Sequence, residues 1–248
     1  MIELLNCGAF SFAKDSTREN EDAFLLPSPY EDGYIFAVAD GVGSYGGAKE
    51  AAKTAIRILS ELGKSEFLKP ELVLNLIKNE IKESMQGGLD KAKAATTLSY
   101  CFINNDYLHV IHVGDTRVYA KSGLKLKLLT KDHTQHQELL DDGLYTKKEL
   151  VSLPGKNMLT AAISGALSIR YQYIKIPFDD LVSEDQTIML VIMSDGAYHF
   201  WEHRPRFSAN TMSNASSFAT NMHKRIQRLG PNDDHSLIAA SFKRASNN

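Results

Sequence analysis

The amino-acid sequence predicts an α+β fold in which antiparallel strands are covered by helices. Strand-like apolar runs follow one another along much of the chain with only short turns between them. The helical patterns occur in pairs between groups of strands, rather than alternating regularly with single strands as in a βαβ arrangement. With 248 residues, 43% hydrophobic and 23% charged, the chain can bury a substantial core and has an ordinary globular composition.

The first part of the chain reads as strands followed by two helices. Strand patterns cover residues 1–13, 23–27 and 34–40. Residues 49–62 carry apolar side chains at helical spacing, and Pro70 suits the first turn of a second amphipathic helix. We expect these two helices to cover the core and to carry no chemistry of their own.

From Ala95 onwards the apolar period is that of strands. Strand patterns cover residues 96–103, 107–113, 116–121, 124–129, 171–176, 187–193 and 237–242. Helical patterns cover residues 134–143, 197–202 and 214–229, and residues 146–149 have the spacing of a capping box that begins a further short helix. Residues 152–165 have no regular pattern.

Acidic residues recur at the ends of the strand-like runs. An apolar run beginning at Tyr34 ends in Asp40 and a glycine-rich turn, and similar runs end in Asp115 and Asp195. Asp233-Asp234 stands just before the last strand pattern. A lone Asp-Gly pair is usually an ordinary turn, but this repetition predicts several carboxylates at one edge of a shared core. Clustered carboxylates repel each other and require a cation, and oxygen ligands favour Mg²⁺ or Mn²⁺.

Charge and cysteine content exclude several classes of protein. The net charge is −2 and no long basic block occurs, so we expect neither nucleic acid nor a membrane as partner. Cys7 and Cys101 form no disulfide framework, and neither is followed by the anion-binding loop and Arg that cysteine-based phosphatases need. The N-terminus lacks a secretory pattern and no apolar segment has membrane-spanning length, so we expect a cytoplasmic protein.

Eight short motifs occur in the order and spacing of a known family. They are Asn20-Glu-Asp22, Val38-Ala-Asp-Gly-Val-Gly43, Ala95-Thr-Thr-Leu98, Val113-Gly-Asp-Thr-Arg117, Leu129-Thr-Lys-Asp-His133, Leu159-Thr-Ala-Ala-Ile-Ser-Gly165, Met193-Ser-Asp-Gly196 and Asp233-Asp-His-Ser236. On these residues the chain resembles the metal-dependent Ser/Thr protein phosphatases of the PPM, or type-2C, family. The resemblance implies a β-sandwich of two antiparallel sheets flanked by helices, with residues 1–248 as a single catalytic domain.

The resemblance also implies a binuclear metal site. Asp40 matches the bridging carboxylate, and the carbonyl oxygen of Gly41 matches a ligand of one ion. Asp195 and Asp234 match ligands of the other ion, while Asp22 matches a residue that holds metal-bound water. The implied cofactors are two Mg²⁺ or Mn²⁺ ions.

Three further residues take roles from the resemblance. Asp115 matches the position associated with a third, weaker metal in some members, and Arg18 matches a phosphate-binding arginine. Glu21 is expected to assist Asp22. The implied reaction is hydrolysis of phosphoserine and phosphothreonine on proteins by a metal-activated water, without a covalent intermediate. We expect a monomer whose partner is its phosphoprotein substrate.

The sequence departs from the family pattern at several places. Arg18 lies one residue nearer to the Asn-Glu-Asp motif than is usual, and Val42 stands where some members have a histidine proposed as general acid. Family members usually have Asn after the last metal-binding Asp, and this chain has His235 at that position. His199 and His203 have i,i+4 spacing, but they lack an obvious third zinc ligand. The alternative function is a catalytically silent relative that uses the fold for binding.

Overall fold

A computed structural model describes residues 1–43, 47–63, 66, 68–84, 94–150, 152–155, 158–183 and 185–245. The strands are β1 (Ile2–Phe12), β2 (Asp22–Tyr30), β3 (Gly33–Val42), β4 (Ala95–Thr96), β5 (Leu98–Asn104), β6 (Tyr107–Val113), β7 (Arg117–Ser122), β8 (Lys125–Leu128), β9 (Ile163–Ser164), β10 (Gln172–Pro177), β11 (Thr187–Met193) and β12 (His235–Arg244). The helices are α1 (Ala48–Glu61), α2 (Pro70–Ser84), α3 (Gln135–Asp141), α4 (Lys147–Leu150), α5 (Asp195–His203), α6 (Ala209–Met212) and α7 (Ala215–Leu229).

The strands form two antiparallel sheets. One sheet has the order β1-β12-β11-β7-β8, and the other has the order β10-β6-β5-β3-β4-β9, with β2 paired to the opposite edge of β3. The longest ladder joins β1 to β12, so the first and last strands of the fold lie side by side. Residues from both chain ends are thereby brought to the same sheet.

Three apolar cores give the molecule four layers. Between the sheets, side chains such as Phe36, Val38, Ile238 and Phe242 are fully buried. The helices α1 and α2 cover the outer face of the larger sheet, and α5 to α7 cover the outer face of the smaller one. Each large side chain buried in this way contributes about 1.5–3 kcal/mol of hydrophobic stabilisation, which explains why the apolar stripes of the helices face the sheets.

The observed architecture confirms the expected α+β sandwich of two antiparallel sheets flanked by helices. The capping box is also confirmed, because the Glu149 carboxylate accepts hydrogen bonds from the backbone N–H and the hydroxyl of Thr146, each at 2.7 Å. Of the glycine-rich turn after Asp40, residues 44–46 lie outside the described residues.

Two local predictions were wrong. Residues 96–103 are not one strand, because Thr97 interrupts the ladder and bonds to the backbone of Asp40 instead: its N–H donates to the Asp40 carbonyl at 2.8 Å and its hydroxyl accepts from the Asp40 N–H at 3.3 Å. Residues 152–165 are not wholly irregular, since they contain β9, which pairs with β4. A strand of two residues is too short to produce a recognisable period.

Candidate metal centre

Asp22 and Asp40 lie on neighbouring strands at the same level. In the antiparallel ladder of β2 and β3 their Cα atoms are direct partners. Directly opposite residues place their side chains on the same face of a sheet, so the two carboxyl groups are adjacent. Thr96 adds a third hydrogen bond to this region by donating from its hydroxyl to the Asp40 carbonyl at 3.0 Å. The Ala-Thr-Thr-Leu motif therefore fixes the backbone that carries Asp40.

Gly41 allows three pieces of chain to meet beside Asp40. A Cβ atom at this position would lie 2.5 Å from the carbonyl oxygen of Ala48 and 2.7 Å from that of Glu21, so no side chain fits. The Gly41 N–H donates to the Glu21 carbonyl at 3.2 Å. The start of α1 and the Glu21-Asp22 segment are thus held against the end of β3.

Asp195 is brought to the same edge by the smaller sheet. It follows β11 and begins α5, and Gly196 packs directly on the backbone of Asp234, where a Cβ atom would lie 2.1 Å from the Asp234 carbonyl oxygen. The Asp22 carboxylate reaches across to this sheet, accepting a hydrogen bond from the Ser194 hydroxyl at 2.9 Å. The Ser-Asp-Gly motif therefore joins the two sheets at the site.

Asp115 follows β6, and His133 holds the backbone of the preceding residue, Gly114. The backbone N–H of Gly114 donates to His133 Nδ1 at 3.0 Å, and the His133 N–H donates to the Gly114 carbonyl at 2.7 Å. Burial lowers the pKa of His133 to about 4, so the ring is neutral at pH 7 and can accept this bond. Asp115 itself is only 6% exposed.

The carboxyl groups of the site titrate far from their usual range. Burial is the largest cause, and mutual repulsion adds to it. Together they raise the pKa of Asp22 to about 7, of Asp115 to about 7 and of Asp195 to about 6. Burial and then the charges of Asp22, Asp195, Asp115 and Asp233 raise the pKa of Asp40 well above its usual value. Such mutual effects show that these groups share one electrostatic environment.

This cluster fits a hard divalent cation in its chemistry. Asp22 Oδ1 is buried and has no hydrogen-bond partner, which is unusual for a buried carboxylate oxygen. The acidic groups whose charges act on Asp40 are all carboxylates, and Mg²⁺ and Mn²⁺ prefer such oxygen ligands. Within the described residues, however, no three His, Cys, Asp or Glu side chains already stand in an arrangement that holds an ion.

The last motif gives its two acids different surroundings. Both oxygens of Asp234 accept backbone hydrogen bonds, from the N–H of Lys14 at 2.8 Å and from that of Glu21 at 2.7 Å. Asp233 instead lines the cavity beside Asp195, and its charge raises the pKa of Asp195 next after burial does. The sequence prediction names Asp234 as the ligand. In the structure Asp234 supports the 14–21 loop through these two bonds, and Asp233 is the acid of this motif that lines the cavity.

Arg18 lies at the rim of the site in that loop. Its guanidinium is half exposed and stands 3.6 Å from the carboxylate of Glu21. Burial, followed by the charge of Asp234, raises the pKa of Glu21 while Arg18 opposes that shift. Arg18 also acts electrostatically on Asp15, so it lies between acidic side chains of its own loop and remains accessible to solvent.

A cavity of about 300 Å³ extends from the carboxylates towards helices α3 to α5. Arg117 forms one wall: it makes a bidentate ion pair with Asp132, binds Glu202 at 2.6 Å and lies 3.8 Å over the ring of Tyr198. His199 lines the same cavity and is exposed. Sequence reasoning missed the Arg117 network, although Arg117 and Asp132 both belong to motifs that it had identified.

Comparison with known proteins identifies the family. A family model described as Protein phosphatase 2C matches residues 13–240. Serine/threonine phosphatase stp of Listeria welshimeri is 28% identical over 171 residues, which are 65% of this chain and 66% of that protein. Serine/threonine protein phosphatase PstP of Mycobacterium tuberculosis is 28% identical over 151 residues, 59% of this chain and 28% of that protein. The match thus covers less than two thirds of these relatives.

Solved structures agree in fold. The crystal structure of the Mycobacterium tuberculosis phosphatase PstP/Ppp superposes with a TM-score of 0.78 at 21% identity, covering 98% of this chain and 100% of that one. A structure of the PstP catalytic domain in complex with two manganese ions superposes with a TM-score of 0.74 at 20% identity, with the same coverage. No described helix is both long and apolar enough to cross a membrane. The family model, which matches most of the chain, shows that this protein belongs to the protein phosphatase 2C family.

Proposed function

We propose that this chain hydrolyses phosphoserine and phosphothreonine in proteins, with residues 1–248 acting as one catalytic domain that depends on Mg²⁺ or Mn²⁺. The observation that carries the proposal is that mutually repelling carboxyl groups meet at one edge of the sandwich, from the ends of β2, β3, β6 and β11 and from the segment before β12. Asp22 and Asp115 are buried, Asp40 and Asp195 are partly buried, and Asp233 is exposed. A metal pair bound there would activate a water nucleophile and neutralise phosphate charge. The PstP relative, solved with two manganese ions, supports this cofactor.

The proposed ligands are Asp40, the carbonyl oxygen of Gly41, Asp195 and Asp233, with Asp22 holding water at the centre. Asp115 is the proposed ligand of a third, weaker site. Asp234 then acts as a positioning residue, because its carboxylate organises the backbone of the loop that carries Arg18. Asp233 replaces Asp234 in the ligand set because Asp233 is electrostatically coupled to Asp195 and Asp40.

The phosphate group is proposed to contact Arg18 at the rim. Its guanidinium is half exposed, and its contact with the carboxylate of Glu21 is long at 3.6 Å, so it is accessible to a further anion. A planar guanidinium can donate two hydrogen bonds to phosphate oxygens and stabilise the charge that spreads over them during transfer. Arg117, in contrast, is engaged by two carboxylates and an aromatic ring, and this makes it a structural wall of the cavity.

The leaving serine or threonine oxygen needs a proton, and Val42 cannot supply one. We assign this role to His199. It lies one helical turn after Asp195, and residues at i and i+4 project from the same side of a helix. Both side chains line the same cavity, and imidazole is the commonest general acid near neutral pH.

The test is release of phosphate from phosphoserine and phosphothreonine peptides in the presence of Mn²⁺. We expect turnover that EDTA abolishes, and loss of turnover by about 10³-fold or more in Asp40→Asn, because metal binding and catalysis fail together. Asp106→Asn, in an exposed turn, is the matched control and should retain wild-type turnover. Absence of metal-dependent turnover in the folded wild-type protein would instead favour the catalytically silent alternative.

A further inference from the structure

A second cavity, of about 500 Å³, opens at the far end of α5 against the side of α7. Among the described residues that line this cavity, five are cationic and none is acidic. The cationic side chains are Arg204, Arg206, Lys224, Arg225 and Arg228. We call this the basic cavity. The chain as a whole has a net charge of −2, so the concentration of positive charge is local and does not follow from composition.

Arg225 forms the floor of the basic cavity and is only 6% exposed. Its guanidinium donates to the carbonyl oxygens of Phe200 at 3.3 Å, Arg204 at 2.7 Å and Arg206 at 2.8 Å, and lies 3.9 Å from the ring centre of Phe207. The three acceptors are backbone carbonyl oxygens, and none of them carries negative charge. Buried charged groups in proteins are normally paired with an opposite charge, whereas Arg225 has no carboxylate partner among the described residues.

The surrounding cations are unpaired as well. Arg204, Arg206, Lys224 and Arg228 are exposed, and in the described part of the chain none of their side chains forms an ion pair with Asp or Glu. Burial, and then the charges of Arg204 and Arg228, lower the pKa of Arg225. The cations therefore destabilise one another, and bound negative charge would relieve this repulsion.

We propose that the basic cavity binds a compact anion that carries two or more phosphate groups. Several unpaired cations around one concave space match a ligand with several negative charges, and arginine forks suit phosphate oxygens. The volume of about 500 Å³ lies in the range of small-molecule sites, which favours a compact ligand over an extended polymer. The phosphate chain can belong to a nucleotide or to an inorganic polyphosphate, and the experiment distinguishes them.

The basic cavity is separate from the metal centre. Asp195 begins α5, whereas Arg204 follows its last residue, so the helix, roughly 13 Å long at 1.5 Å per residue, lies between the two sites. The two sites also differ in charge, because the metal centre is lined by carboxylates and the basic cavity by cations. The proposal therefore does not depend on the phosphatase reaction.

The test is isothermal titration calorimetry in buffer freed of divalent metals by a chelating resin. In that buffer the carboxylate cluster repels anions, so binding of a phosphate chain reports on the basic cavity. We expect the wild-type protein to bind inorganic tripolyphosphate with an affinity that falls as salt concentration rises. Equal affinity for ATP assigns recognition to the phosphate chain, and tighter binding of ATP adds contacts to the nucleoside.

Matched charge reversals locate the site. Lys224→Glu combined with Arg228→Glu changes two exposed cavity residues and should weaken tripolyphosphate binding at least about tenfold, because two attractions become repulsions. Lys69→Glu combined with Lys125→Glu makes the same change in net charge at exposed positions elsewhere and should change affinity by less than about twofold. Urea unfolding of both variants checks that they are folded.

Three results would overturn the proposal. One is no heat of binding at millimolar tripolyphosphate with the wild-type protein. A second is an equal loss of affinity in the control variant, which would indicate only general electrostatic attraction. The third is binding of a doubly phosphorylated peptide without binding of either small polyphosphate, which would make the surface a protein docking site.

Discussion

Arg117 and Asp132 form a bidentate ion pair at one wall of the metal centre. Arg117 Nε lies 2.9 Å from one carboxylate oxygen and the terminal nitrogen lies 2.6 Å from the other. The side chains are 16% and 10% exposed, so the pair is largely removed from water. Removing one partner from such a pair leaves a charge that is buried and poorly compensated.

We therefore expect Asp132→Ala to lower the free energy of unfolding by about 3 kcal/mol. The matched control is Glu61→Ala, which removes one of the two acids bound to Arg57 and leaves Glu80. In the same way, Asp132→Ala leaves Glu202 bound to Arg117. The surface pair of Arg57 and Glu61 is 46% and 60% exposed and should contribute less than about 1 kcal/mol. Urea unfolding measures both changes, and equal losses would show that burial of the Arg117 pair has no energetic effect.

The raised pKa values predict how stability depends on pH in the absence of metal. Burial raises the pKa of Asp22 and Asp115 to about 7, far above the ordinary value of 3.8. The folded state then binds more protons than the unfolded state between these values, so stability is lost as pH rises through about 7. We expect the Tm of the metal-free protein to be lower at pH 8 than at pH 6.

A variant and a metal titration separate this effect from other groups. Asp22→Asn removes one titrating carboxyl group and should flatten the fall in Tm between pH 6 and 8. Saturating Mn²⁺ should raise Tm more at pH 8 than at pH 6, because ligation requires deprotonated carboxylates. His112 and His133, whose pKa values are lowered by burial, act in the opposite direction and contribute equally to both proteins. An equal change in Tm between pH 6 and pH 8 in Asp22→Asn and in the wild-type protein would contradict the raised pKa of Asp22.

Asp233 and Asp234 should respond differently to substitution. Asp233→Asn removes a proposed ligand and should weaken Mn²⁺ binding at least about tenfold without reducing stability, since it relieves repulsion with Asp195. Asp234→Ala leaves the N–H groups of Lys14 and Glu21 without their acceptor, so it should cost about 1–3 kcal/mol of stability.

Calorimetry with Mn²⁺ and urea unfolding of the same two variants supply the measurements. The expected pattern is loss of affinity in the Asp233 variant and loss of stability in the Asp234 variant. The reverse pattern would restore Asp234 as the ligand.

His199→Gln should affect substrates according to their leaving group. Phosphoserine peptides release a strongly basic alkoxide that needs a proton, whereas p-nitrophenyl phosphate releases a stable anion that does not. We expect kcat on the peptide to fall about 10²-fold or more, with only a small change on p-nitrophenyl phosphate. His203→Gln, at the exposed end of the same helix, is the control and should match the wild-type protein on both substrates.

Equal losses on the two substrates in His199→Gln would assign this residue to structure or substrate binding. Loss of peptide activity in His203→Gln as well would show that the effect comes from α5 as a whole.

Much of this fold could be predicted because its local signals agree with its packing. The helices α1 and α2 carry clear apolar stripes, and the strands from β5 to β7 carry long buried runs. The break at Thr97 could not be predicted in this way, because it arises from hydrogen bonds to Asp40, which lies far away in the sequence. A periodic pattern reports the burial of side chains and contains no information on such backbone contacts.

The candidate site, too, could be predicted from the sequence only in part. Strand-end positions predicted that Asp40, Asp115 and Asp195 lie close together, and in the structure the charges of Asp195 and Asp115 raise the pKa of Asp40. The proposed choice between Asp233 and Asp234 depends on which way two adjacent side chains point, and adjacent acids have the same chemical character. Their surroundings differ because Lys14 and Glu21, from the other end of the chain, donate to Asp234.

The lack of a side chain at Gly196 limits which substitutions the proposed metal centre tolerates. Its missing side chain lets the first turn of α5 rest on the main chain at Asp234, with no space for even a methyl group. We expect a side chain at this position to displace Asp195 relative to Asp233 and to weaken metal binding, although every proposed ligand would still be present in the sequence. A count of acidic residues alone would not reveal such a loss.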